Sequence, residues 1–149
     1  MTELKQLKLW LKNSKVEIVE KKQRRLEVRI DDPWKLPGVV KSLLEAYPRG
    51  VYLSAITAID LPEEDSIELD YVFWIIPEKS LLTLKTRVPR SQPRAPSLAL
   101  LLPAAVPYEQ EVYDLFGVVF EGNESLRLGF FTPPDVAGEY PLRKDWNKR

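Results

Sequence analysis

The stretch IELDYVFWIIPEKSLLTLKTRV, residues 67–88, holds the clearest strand pattern in the chain. Apolar side chains recur at every second position in two runs, and this is the period of a strand with one buried face. The runs are Ile67–Ile75 and Leu82–Val88. The positions between include Glu68 and Asp70 in the first run, and Lys85 and Arg87 in the second. We therefore predict an antiparallel hairpin in which opposite charges meet across the two strands.

Weaker patterns before this hairpin predict a further set of helices and strands. Leucines share one helical face over residues 3–12, which indicates a short amphipathic helix. Alternation predicts two strands around Val16–Ile18 and Leu26–Ile30, joined through Lys21–Arg24. A helix opened by Asp31, Asp32 and Pro33 runs to Tyr47, Pro48 and Gly50 end it, and a strand follows over Val51–Ile59. These elements predict an α+β fold, with an antiparallel or mixed sheet and helices on one face.

A proline-rich segment separates this part of the chain from the rest. Five prolines lie between Val88 and Tyr108, a spacing that regular structure does not survive. The segment is interpreted either as a connecting loop or as an extended arm that packs along a neighbour through Leu98–Leu102. We expect residues 1–88 to form the α+β domain. Residues 89–149 would add the proline-rich extended C-terminal arm, a short helix and a docking segment to the same structural unit.

The absence of two residue types limits the chemistry of the chain. Among its 149 residues there is no cysteine and no histidine. Iron–sulfur ligation, the usual zinc sites, thiol nucleophiles and histidine-based acid–base catalysis are therefore excluded. The 22 basic and 22 acidic side chains cancel, which argues against a protein devoted to binding phosphates or anionic lipid. No apolar run approaches the roughly 20 residues of a membrane-spanning helix, so we expect membrane association only through a partner.

The segment EQEVYDLFG, Glu109–Gly117, predicts a short helix that starts at Pro107 and is capped by Gly117. Glu109 and Glu111 would lie in its first turn, where the helix dipole favours negative charge. Glu111 and Asp114 are one turn apart, as a catalytic or metal-binding carboxylate pair would be. Because no second ligand type and no Gly-rich phosphate loop accompany them, surface carboxylates are the favoured interpretation.

The C-terminal motif PLRKDW, Pro141–Trp146, has two interpretations. Arginine and tryptophan are enriched among the residues that anchor protein–protein interfaces, so the motif suits a docking segment. Alternatively, Trp146 folds back onto its own sheet while Arg143 and Asp145 pair locally. The sequence leaves both open.

Taken together, YEQEVYDLFGVVFEG (108–122), Leu126-Arg127 and PLRKDW resemble the signature of one family. It is the family of the C-type subunit of NADH–quinone oxidoreductase, also called the thirty-kilodalton subunit of respiratory complex I. The same family occurs in membrane-bound, energy-converting nickel–iron hydrogenases. The likeness extends over about residues 33–146. The family usually has arginine where this chain has Gln110.

The resemblance implies a subunit with no catalytic, cofactor or metal site of its own. Such a subunit lies in the peripheral arm on the cytoplasmic side of the cell membrane. It docks on the large hydrogenase-like subunit, which is the D-type subunit of complex I, and helps hold it near the small iron–sulfur subunit. Iron–sulfur clusters, and nickel–iron or quinone, would belong to those partners. The residues expected to meet a partner are Tyr108, Glu109, Glu111, Tyr113, Asp114, Phe116, Arg127, Arg143, Lys144, Asp145 and Trp146.

Two other classes of protein remain as alternatives. A stand-alone carboxylate-based enzyme would be active without metal or partner. A small α+β nucleic-acid-binding module would bind with steep salt dependence, using the basic cluster Lys21–Arg25. That cluster lacks interleaved aromatics, and we interpret it, like the acidic cluster Glu63–Asp65, as a solvated turn.

Overall fold

The computed structural model describes residues 9, 10, 12, 17–22 and 24–146. Its main sheet has five strands: β1 (Glu17–Lys22), β2 (Arg25–Arg29), β3 (Val51–Leu61), β4 (Ser66–Ile75) and β5 (Ser80–Pro89). They lie in the order β1-β2-β5-β4-β3, with β2 parallel to β5 and the other neighbours antiparallel. The predicted α+β class with a mixed sheet is confirmed.

The hairpin of β4 and β5 has the predicted charge pairing. Asp70 lies opposite Lys85, and Glu68 lies opposite Arg87. The Lys85 ammonium is 3.5 Å from Asp70, 3.7 Å from Glu68 and 3.5 Å from Glu27 on β2. Burial, followed by repulsion from Glu68, raises the pKa of Asp70 to about 7. One cation thus joins three strands and holds two crowded carboxylates at the sheet surface.

The opposite face of this hairpin forms the hydrophobic core. The alternating side chains from Ile67 to Ile75 are fully buried, as are Leu82 and Leu84 of β5. Two α-helices, α1 (Leu36–Ala46) and α2 (Ala105–Phe116), contribute buried residues to the same core. A hydrophobic face of this length is the main source of stability for a domain of this size.

The helix predicted at Pro33 begins with a 3-10 turn, Pro33–Lys35, before α1. Asp32 caps this turn, because its Oδ1 accepts a hydrogen bond from the Trp34 N–H at 3.0 Å. The helix predicted over 3–12 falls mostly outside the described residues. Leu9, Trp10 and Lys12 are helical, and the Trp10 indole donates to Ser42 Oγ of α1 at 2.8 Å.

The proline-rich segment does not form an extended arm. It contains β6 (Arg94–Pro96), which pairs in parallel with β7 (Val119–Glu121) after α2. Ala95 and Leu98 are fully buried in the main core, whereas Leu100 is 98% exposed. The arm interpretation is therefore corrected: these buried apolar side chains are removed from water by their own domain and need no neighbour for it.

Helix α2 starts two residues earlier than expected, at Ala105, so that Pro107 lies inside its first turn. The predicted cap at its other end is confirmed, since Gly117 has a φ of +82°. No helix in the described part of the chain has both the length and the apolarity that crossing a membrane requires.

Candidate docking surface

Helix α2 carries the carboxylates that the sequence singled out, and the structure separates them. Glu109 and Asp114 are fully buried, whereas Glu111 is exposed. The expected first-turn surface position of Glu109 is wrong, because the earlier helix start leaves no acidic residue in the first turn. Glu111 and Asp114 do not converge on a common space. The structure therefore brings together no carboxylate pair on this helix.

Glu109 fastens α2 to the proline-rich segment. The Ser97 hydroxyl donates to its Oε1 at 2.6 Å, and the Leu98 N–H donates to Oε2 at 3.3 Å. Burial raises the pKa of Glu109 to about 7, although these hydrogen bonds act in the opposite direction. Burial and the nearby Glu109 carboxylate also raise the pKa of the Tyr71 hydroxyl on β4. Glu109 thus lies between the helix and the sheet, out of reach of any partner.

Asp114 organises the loop that follows β7. Its carboxylate accepts four hydrogen bonds of 2.6–3.0 Å, from the N–H groups of Gly129, Phe131 and Thr132 and from the Thr132 hydroxyl. Burial alone would raise the pKa of Asp114, but the four donors outweigh it and the pKa is lowered. A carboxylate saturated in this way has no capacity left for a partner, which corrects its expected contact role.

Gln110, one helical position after Glu109, holds the other end of the same loop. Its Nε2 donates to the Arg127 carbonyl at 2.5 Å, and its Oε1 accepts from the Arg127 N–H at 2.8 Å. The Gln110 amide thus binds both the N–H and the carbonyl of Arg127, as a neighbouring strand would. Together, Gln110 and Asp114 fix both ends of the segment from Arg127 to Thr132.

The C-terminal end of α2 is closed by Tyr140 and Arg143. A side-chain carbon at Gly117 would lie 2.8 Å from the Tyr140 ring, so only glycine fits there. The Arg143 guanidinium lies over the Tyr140 ring, 5.1 Å from its centroid, and Nε donates to the Phe116 carbonyl at 2.7 Å. Arg143 therefore satisfies a free carbonyl of the helix end.

The rest of PLRKDW is also held against the domain. Buried Asp60 of β3 accepts two hydrogen bonds from Arg90, at 2.7 and 2.9 Å, and one from the Lys144 N–H at 2.9 Å. Arg90 holds the pKa of Asp60 below its ordinary value, against the effect of burial. Arg90 also pairs with Asp145 at 3.0 Å. The Trp146 indole donates to Glu139 at 3.1 Å.

The predicted contact residues thus divide into internal and outward groups. Glu109, Asp114 and Phe116 are buried, and Arg143 and Asp145 pair within the chain. The side chains that keep exposed surface are Tyr108, Glu111, Tyr113, Arg127, Arg143, Lys144, Asp145 and Trp146, although Arg143 and Asp145 also have partners within the chain. Sequence reasoning missed Phe130 and Phe131, which are 53% and 46% exposed. Two adjacent phenylalanines between a glycine and a Thr-Pro-Pro turn were the available signal.

The remaining charged clusters are placed as expected. Glu63 and Glu64 lie in an exposed 3-10 turn, Pro62–Glu64, which exposed Asp65 follows, and Arg24 and Arg25 are exposed at the β1–β2 turn. Within the described residues, no group of three acidic side chains has the arrangement of a metal site.

Comparison with known proteins gives the chain its family. The model of the family described as "Respiratory-chain NADH dehydrogenase, 30 Kd subunit" matches residues 26–149. The C-type subunit of the NADH-quinone oxidoreductase of Moorella thermoacetica is 39% identical over 95 residues, which are 64% of this chain and 63% of the relative. The C/D-type subunit of the same enzyme from Gluconacetobacter diazotrophicus is 52% identical over 64 residues, 43% of this chain and 10% of that protein. The matched region therefore spans less than two thirds of these relatives.

A solved structure extends the likeness to almost the whole chain. It is a chain of the membrane-bound sulfane sulfur reductase, described as an archaeal respiratory membrane complex. The TM-score is 0.85 at 32% identity, over 99% of this chain and 86% of the other. The predicted resemblance is confirmed: the chain belongs to the family of the 30 Kd subunit of respiratory-chain NADH dehydrogenase.

Proposed function

We propose that the chain is a non-catalytic, peripheral-arm subunit of a complex I-like, membrane-bound oxidoreductase. The observation that carries this proposal is the near-complete structural match to a chain of a respiratory membrane complex, together with the family match over residues 26–149. In this role the chain supplies contact area, and the electron transfer belongs to the assembly.

The chemistry of α2 supports a structural role. Both buried carboxylates bind groups of their own chain. Glu109 accepts hydrogen bonds from the proline-rich segment, and Asp114 accepts them from the loop after β7. With no cysteine or histidine in the sequence, the chain itself offers no ligand set for iron–sulfur clusters. Iron–sulfur clusters, and nickel–iron or quinone, are assigned by this proposal to partner subunits.

The proposed main partner is the large hydrogenase-like subunit, of the D type. The Gluconacetobacter relative supports this choice, because its name joins the C and D types and the matched region is only 10% of its length. A C-type region and a D-type region that share one polypeptide are held close together. The small iron–sulfur subunit would be the second neighbour. Docking would use the outward side of α2 and the segment that follows it, through Tyr108, Glu111, Tyr113, Arg127, Lys144 and Trp146.

The proposed assembly transfers electrons from NADH or ferredoxin to quinone or protons and couples this to ion translocation. The chain would lie on the cytoplasmic side of the cell membrane, attached through the complex.

Native electrophoresis of detergent-solubilised membranes tests this proposal. A tagged copy of the chain, expressed from its own locus, should migrate in a high-mass band that also contains a large hydrogenase-like subunit and an iron–sulfur subunit. Recovery of the chain only as a monomer in the soluble fraction would contradict the proposal. Turnover of a substrate by the purified chain alone would contradict it as well.

A further inference from the structure

An aromatic turn projects from the domain after β7. We use this name for Arg127–Phe131. Phe130 and Phe131 pack edge to face, with ring centroids 4.9 Å apart, yet about half of each side chain remains in contact with solvent. Leu128 is 44% exposed beside them. Three large apolar side chains are thus exposed within four residues, which is uncommon on a surface that contacts only water.

The backbone of the aromatic turn is held in place before any partner arrives. Gln110 binds both polar groups of the Arg127 backbone, and Asp114 binds the N–H groups of Gly129 and Phe131. Both anchors come from α2, which is itself packed in the core. Because the turn is already ordered, binding through it loses little conformational entropy.

A groove of about 450 Å³ runs beside the turn, between it and the start of α2. Its apolar walls are Val106, Pro107, Leu126 and Phe130, and its polar walls are Gln110, Glu124, Ser125 and Arg127. A space of this volume and lining suits an apolar side chain from another polypeptide, with a polar group next to it.

Two charged side chains, Glu124 and Arg127, line the groove, and Arg127 is the one stacked on its aromatic wall. The Arg127 guanidinium lies 4.8 Å from the Phe130 ring centroid, and no carboxylate within the described residues forms an ion pair with it. Arg90, by contrast, pairs with two carboxylates of its own chain. An arginine stacked on an aromatic ring keeps its edge N–H donors available, and their geometry matches a carboxylate.

We infer that the aromatic turn and its groove are the principal anchor for the large partner subunit, and that they take an apolar side chain next to an aspartate or glutamate of that subunit. This inference rests on the proposed function and narrows its broad contact surface to one site. Arg127 supplies the charge, Phe130 and Phe131 supply the apolar area, and Gln110 and Asp114 hold the backbone of the turn in position.

The test replaces the chain in its native host by tagged variants and quantifies the co-purified large subunit by mass spectrometry. Arg127→Glu and Phe130→Ser should each lower that yield at least about tenfold, because interface anchors of these types dominate binding. Arg127→Lys keeps the positive charge but loses the planar guanidinium that can bind a carboxylate through two N–H groups. This variant should lower the yield less. Matched controls are Arg25→Glu, an exposed charge reversal on β2, and Leu100→Ala, a fully exposed leucine; both should keep the wild-type yield.

Thermal unfolding of each purified variant shows that it is folded. If the wild type captures the large subunit and both Arg127→Glu and Phe130→Ser capture it equally well, the inference is overturned while the proposed function stands. If the wild type captures only an untagged second copy of itself, the assigned occupant is wrong. If the wild type captures no membrane subunit, the proposed function fails and this inference fails with it.

Discussion

Glu109 and Asp114 show how two buried carboxylates on one helix differ in their titration. Asp114 meets four donors, and its pKa is lowered despite burial. Glu109 meets the Ser97 hydroxyl, a long bond from the Leu98 N–H and the Asn123 side chain, and burial raises its pKa to about 7. The number and quality of the donors decides which effect is larger. Both side chains lie under the surface that we propose for docking, so the protonation of each affects the stability of that surface.

The raised pKa of Glu109 predicts a pH-dependent stability. The folded state holds the proton up to about pH 7, whereas the unfolded chain releases it near the ordinary value of 4.5. This contribution is therefore fully present below pH 4.5 and is lost as the pH rises through 7. Glu109→Gln should weaken the fall in the free energy of unfolding over this range. At pH 8 the variant should be more stable than the wild type, by about 2–3 kcal/mol.

Chemical denaturation at several pH values measures this effect. Glu111→Gln, which changes an exposed glutamate of the same helix, should follow the wild-type curve. Asp70, whose pKa is also raised to about 7, contributes in the same direction and remains in both variants. If Glu109→Gln leaves the pH profile of stability unchanged, ionisation of buried Glu109 does not destabilise the folded state.

Asp114→Asn should release the aromatic turn. An amide group accepts through one oxygen only and turns its own N–H groups toward the donors, so that the two bonds to the other oxygen are lost. We expect a loss of about 2–4 kcal/mol in the free energy of unfolding. Amide hydrogen exchange should rise at Gly129, Phe131 and Thr132 beyond the global change. Exchange at these amides equal to that of the wild type would mean that other contacts hold the turn.

At the scale of the elements, local sequence patterns predicted those structural features that residues close together in the sequence determine. The β4–β5 hairpin followed from strict alternation and opposite charges, and the cap of α2 followed from a glycine after an apolar run. The errors arose where distant segments meet. Glu109 is buried because Ser97 and Leu98 supply donors, and Asp114 because residues 129–132 do. Helical periodicity cannot include partners that lie outside the helix.

The arm interpretation of the proline-rich segment fails for the same reason. Its proline spacing correctly excluded long helices and strands. The short parallel pairing of β6 with β7 joins residues on either side of α2, so a local sequence pattern cannot predict it. The aromatic turn was overlooked because its exposure depends on Gln110 and Asp114, which fix the backbone from another element.

The junction of α2 with the C-terminal segment gives a prediction at this scale. Gly117→Ala would place a carbon 2.8 Å from the Tyr140 ring at a positive φ, and should cost about 1–3 kcal/mol of stability. The matched control is Gly38→Ala in α1, where a side-chain carbon meets nothing within 4 Å. That change should stabilise the protein by about 0.5–1 kcal/mol. Thermal unfolding of the two variants checks both signs, and equal effects would contradict the steric account.

At the scale of the whole molecule, the segments whose sequence suggested chemistry or docking are used to build the fold itself. The C-terminal motif is tied to β3 through Asp60 and Arg90, the proline-rich segment enters the core, and α2 carries the aromatic turn. A domain built in this way is suited to holding larger subunits in fixed positions. Its contribution to an oxidoreductase would then be measured as assembly, and not as turnover.

The amount of assembled complex in membranes of cells that lack this chain tests that claim most directly. The native host is compared with its deletion strain, with and without the wild-type chain restored, and the large hydrogenase-like subunit is followed on native gels. We predict that deletion removes this subunit from the high-mass band and that the restored chain brings it back. A deletion strain whose large subunit remains fully assembled and active would contradict the account.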